Sequence, residues 1–131
     1  MTIKITALQG ITDKGRLNTE WMTIANEGDQ PFNADGCSIA VARGGGRPRV
    51  VTTLKAGLIL QPGETCRLVT GSSGKKSHGE PPEQEGVRNF HLFLKAPYLD
   101  KPGLSVRIAA RQREVARAFY DPAQEGGIKA G

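Results

Sequence analysis

The stretch Glu20–Val41 limits what this chain can fold into more than any other. It reads E-W-M-T-I-A-N-E-G-D-Q-P-F-N-A-D-G-C-S-I-A-V. Apolar residues recur at every second position on both sides of a polar centre, the period of strands with one buried face. Met22 and Ile24 are expected inward and Trp21 on the opposite face. Glu27-Gly28-Asp29-Gln30-Pro31 has turn chemistry, because Gly28 takes positive φ freely, Asp29 can bond its own backbone and Pro31 fixes φ. The reading is two strands joined by a polar turn, a hairpin around which the remaining sheet is organised.

The rest of the chain has the same texture. Seventeen glycines and eight prolines are spread over 131 residues, with short apolar runs between them. That punctuation predicts an all-β domain. Thr2–Leu8 is a first strand, with Ile3, Ile5 and Ala7 on one face and Lys4, Thr6 and Leu8 on the other. Leu17–Asn26 is the second. Phe32–Ala42 is the third, interrupted at Asp35-Gly36. Arg43–Pro48 is a flexible loop. Val50–Leu54 and Leu58–Leu60 are short runs, Gln61–Glu64 is a turn, and Thr65–Thr70 is a strand. Gly71–Arg88 is a long exposed loop, and Asn89–Leu94 is the next strand. Leu104–Tyr120 has helical composition but strand alternation; a hairpin turning at Arg111–Glu114 fits the all-β context better. Eight or nine strands result, in one domain over residues 1–121, with 122–131 as a flexible tail.

No apolar run approaches the ~20 residues of a membrane helix. Met1–Ile5 is not a signal-peptide core, so a whole chain of this kind is expected in the cytoplasm. Cys37 and Cys66 lie in apolar alternation without metal or redox spacing. Two buried free thiols, or one cross-sheet disulfide, both fit.

At this point the residues resemble a known family. Glu20, Trp21, Met22, Ile24, Asn26, Gly28-Asp29, Phe32 and Gly36 are similar to the opening signature of the lamin tail domain, which also occurs in many bacterial proteins. Leu60-Gln61-Pro62-Gly63-Glu64 leading into Cys66–Val69 is similar to a second block. Cys37 stands where the family often has Trp, and no heptad run is present. The resemblance implies an immunoglobulin-like β-sandwich acting as a binding or structural module for protein partners, with association with DNA also known in the family. It implies no catalytic residue and no cofactor.

The residues themselves offer little chemistry. His78 and His91 are isolated from each other in sequence, and no zinc spacing exists. Thr70–Gly74 lacks the nucleophile-elbow frame. Glu27, Asp29 and Asp35 could hold calcium weakly, but turn formation accounts for them. Charge is more informative. Gly36–Gly63 and Lys101–Tyr120 each carry +4 in a chain of net charge +5, so the remainder carries −3. Arg43, Arg47, Arg49, Lys75, Lys76, Arg111 and Arg113 are candidate contacts for an anion or for nucleic-acid phosphates. Aromatics are too few for single-strand stacking. The expected function is a non-enzymatic protein-binding module, with non-specific DNA binding as the alternative.

Overall fold

A computed structural model describes residues 2–13, 15–44, 46–72, 76–80, 82–111 and 113–129. The chain is an all-β sandwich of immunoglobulin-like architecture. Its strands are β1 (Ile3–Gln9), β2 (Trp21–Asn26), β3 (Phe32–Asn33), β4 (Ser38–Arg43), β5 (Arg49–Thr53), β6 (Ile59–Leu60), β7 (Thr65–Val69), β8 (Val87–His91), β9 (Leu104–Ala110) and β10 (Arg113–Phe119). The first sheet has the order β1-β2-β7-β8 and the second β10-β9-β4-β5. A short pair, β3-β6, lies apart from both sheets. All pairings are antiparallel except β7 with β8.

The core forms where the inward faces meet. Met22 and Ile24 of β2, with Cys66 and Leu68 of β7, belong to one apolar cluster with Ile39 and Val41 of β4 and Val106 and Ile108 of β9. Each large side chain removed from water in this way contributes about 1.5–3 kcal/mol. Cys37 and Cys66 are both buried, and both are free thiols. β1 runs beside β10 and closes one side of the sandwich. The inward residues of β10 there are the small Ala116 and Ala118.

Several expectations need correction. Glu20–Val41 is not a hairpin. β2 has only two edges, and they are taken by β1 and β7. β3 therefore pairs with β6, through Phe32 opposite Leu60, and the chain passes on to the other sheet as β4. The interruption at Asp35-Gly36 marks this change of sheet, with Gly36 at φ +81°. Asn26 shows why the turn serves a crossing. Its side-chain amide donates to the carbonyls of Gln30 and Leu60, and its Oδ1 accepts the Gly28 N–H.

Leu8 also faces inward, against the simple alternation. The β1–β2 register shifts between Ile5 and Ala7, so Leu8 joins Ile3 and Ile5 in the core. Such a bulge moves every later side chain to the other face. The expected second strand begins late, because Leu17–Thr19 is a 3-10 turn. There the buried Asn18 donates to the carbonyls of Ser72 and Gly79. β8 starts at Val87 and ends at His91, two residues earlier at its start than expected from Asn89–Leu94. The hairpin β9–β10 forms as expected, with Arg111 at φ +50° in its turn.

Beyond Asp121 the chain turns back on the domain. Ile128 bridges to Tyr120, the Lys129 N–H donates to the Phe119 carbonyl, and Ile128 packs against the core. Gly127, at φ +73°, sits so close to β1 that a β-carbon there would lie 1.8 Å from the Leu8 carbonyl oxygen. Gly127→Ala is expected to force this segment off β1 and cost about 1–3 kcal/mol. Urea unfolding of the two proteins checks this, and equal midpoints would refute the docking.

Candidate partner-binding surface

The basic residues divide by position. Arg43 ends β4 opposite Leu104, and Arg49 begins β5 opposite Val41. With Arg47, Gly46 and Asp100 they line one depression of about 400 Å³. Arg111 and Arg113 lie at the other end of the sheet. Leu104 and Ala110 are six residue steps apart along β9, about 20 Å of strand. Between the two ends, Arg107 stands directly opposite Arg117, and Arg117 is bound to Glu114 at 2.6 Å. The structure therefore brings Arg43, Arg47 and Arg49 together and leaves Arg111 and Arg113 apart. Lys75 lies outside the described residues, and Lys76 is described only as backbone in a 3-10 turn at Lys76–His78.

The two histidines hold backbone. Nδ1 of His78 accepts the Ser72 N–H at 3.0 Å, and Nδ1 of His91 lies 3.0 Å from the Gly71 carbonyl oxygen. Burial pushes the Cys66 thiol up to about 11, and it raises that of Cys37 as well. Both stay protonated thiols at neutral pH. Glu27 pairs with Lys4 at 3.2 Å. Among the described residues, no group of three or more His, Cys, Asp or Glu side chains is placed to hold a metal ion.

The side of the sandwich opposite β1 and β10 is different. Here the edges of β5 and β8 face solvent, with a groove of about 480 Å³ between them. Thr52, Leu54 and Lys55 form one wall, and Phe90, Leu92 and Phe93 the other. Phe93 is 62% exposed and has φ +56°. An aromatic residue rarely adopts that conformation, which costs about 1–3 kcal/mol and persists only where the surroundings impose it. They do: the N–H groups of Leu92 and Leu94, on either side, donate to the carbonyls of Val69 and Thr70. Val50, the second residue of β5, is 60% exposed. The β4–β5 register gains one residue at Val51. This shift twists the free edge and works against a partner strand pairing continuously along it.

The wall that carries Phe93 is fixed from inside by Glu20. The Glu20 carboxylate is fully buried. It accepts the Thr70 hydroxyl at 2.8 Å and the N–H groups of Tyr98 and Leu99 at 3.1 and 3.0 Å. These bonds hold both ends of the chain that includes Phe93. Burial raises the Glu20 pKa above its ordinary 4.5, although the three hydrogen bonds oppose the shift. Nearby, the outward-facing Arg67 lies 4.4 Å from the centre of the Trp21 ring and donates to Gln84 at 2.7 Å.

Neither a scan against protein-family models nor a search of curated proteins finds a match to this chain. The surface must be read from its own geometry. Sequence reasoning missed Phe93 because it placed that residue within a strand. The signal available was Ala96-Pro97 just beyond, which limits how far the strand can run. Val50 was visible only as the start of an apolar run.

The raised Glu20 pKa has a definite effect on stability. Between about pH 4.5 and the folded pKa, the folded chain keeps a proton that the unfolded chain has lost. Stability therefore falls as pH rises through that window and levels off above it. Glu20→Gln removes this dependence. The stability of the wild type relative to Glu20→Gln is expected to be greatest below pH 4.5 and to shrink as pH rises. Urea titrations from about pH 4 to 8 test this; a constant difference would show that Glu20 titrates normally.

Proposed function

We propose that this chain is a non-enzymatic binding module, similar to the lamin tail domain, that docks a protein partner. One observation carries the reading: the open β5/β8 side, where an exposed Phe93 is held in a costly conformation beside an apolar-walled groove. Exposed aromatics on a rigid scaffold are typical anchors for protein partners. The buried side chains of Asn18, Glu20, Asn26 and Thr70 all bond to neighbouring groups that hold the fold. The test is capture of partners by the immobilised chain, followed by reconstitution of each complex from purified proteins. At least one complex is expected to sediment as a stoichiometric species. Failure of every candidate to reconstitute would defeat the reading.

A second reading has its own support, because Arg43, Arg47 and Arg49 share one depression. Such a cluster suits the phosphates of duplex nucleic acid. Binding to a short DNA duplex is expected at about 50 mM salt and should weaken steeply as salt is added. Replacing Arg47 and Arg49 by alanine should lower the slope of log affinity against log salt by about 2. Absence of binding at low salt, or an unchanged slope, would eliminate this reading.

A further inference from the structure

We infer that the groove between β5 and β8 takes a bulky apolar side chain from an acidic segment of a partner protein. The inference rests on the protein-binding reading above and specifies its occupant. Shape comes first. The groove has apolar walls from Leu54, Phe90 and Leu92, and its lip is the exposed ring of Phe93. It is large enough for a side chain and open enough for the backbone that carries it. A continuous added strand is disfavoured by the register shift at Val51, so side-chain insertion is the mode that the geometry favours.

Charge selects the partner. Lys55 lines the β5 wall, and Lys95 follows the β8 wall; both are exposed. Arg88 on β8 is already paired with Glu64 at 3.1 Å and adds little. None of the residues that line the groove is acidic, and Lys55 is the cation among them. The groove therefore has apolar walls and a basic rim, and it matches an apolar anchor flanked by Asp or Glu. A second copy of this chain would bring two such basic rims together and be repelled. Phe93 fits this role better than a structural one. Its ring is mostly in water, with the His91 ring 6.2 Å away, and its backbone is held at a positive φ.

The test uses the full chain, labelled with ¹⁵N, and three blocked peptides. The first has a tryptophan–leucine centre flanked by glutamates. The second keeps that centre with lysine flanks, and the third keeps the glutamates with an alanine centre. The first is expected to bind, shifting amides of Thr52–Ala56 and Phe90–Lys95, and the other two to bind roughly tenfold weaker or not at all. Lys55→Glu should weaken the first peptide by roughly tenfold. Phe93→Gly should weaken it similarly while leaving urea stability equal or higher, since glycine relieves the positive φ. Equal binding of the alanine-centred peptide would reduce the surface to a plain anion site and overturn the proposal. Shifts elsewhere, or no binding of the first peptide, would also overturn it. A reconstituted partner whose footprint lies on another surface would sink the groove assignment and leave the binding-module reading standing. No peptide binding and no reconstituted partner would remove both.

Discussion

One strand, β2, holds the sandwich together through polar groups at its two ends. The chain passes between the sheets three times: β2 to β4, β5 to β7, and β8 to β9. Asn26, at the end of β2, secures the first two crossings. Its side chain binds Gln30 and Leu60, its N–H donates to Glu64, and its carbonyl accepts from Gly63. Glu20, just before β2, secures the third by accepting the N–H groups of Tyr98 and Leu99. Unpaired N–H and C=O groups at these crossings would cost about 1–3 kcal/mol each if buried. A strand with both edges paired can supply the missing partners only from its side chains and its ends.

This arrangement gives the stretch Glu20–Gly36 a physical content. Met22 and Ile24 fill the core, Asn26 and Gly28 shape a crossing, and Glu20 anchors another. Trp21 covers the guanidinium of Arg67 on the outer face. Each of these residues has a structural role, so the surfaces open to a partner lie elsewhere. The open β5/β8 side is such a surface.

Much of the fold was legible because alternation reports burial directly. Met22, Ile24, Cys37 and Cys66 face inward as their spacing implies, and the turn between β9 and β10 sits where expected. Pairing was less legible. Two strands joined by a turn look the same whether they form a hairpin or cross between sheets, because the deciding fact is that β7, forty residues away, occupies the edge. Leu8 was misassigned because a bulge leaves no mark in residue type. The arginines could be counted but not located: only the register of β4 on β9 separates Arg43 from Arg111. Phe93 was invisible as an anchor, since its conformation is imposed by Val69 and Thr70 rather than by its own neighbours in sequence.

The reach of Glu20 also bears on how the molecule assembles. Its bond to Leu99 joins residues 79 apart in the chain. Hairpins such as β4–β5 and β9–β10 close over short loops, at little entropic cost. The carboxylate cannot leave water profitably until sheet and crossing are both in place. Its dehydration is therefore expected late in folding. Changes at Glu20 are then expected to act chiefly on how long the folded molecule survives, and much less on how fast it forms.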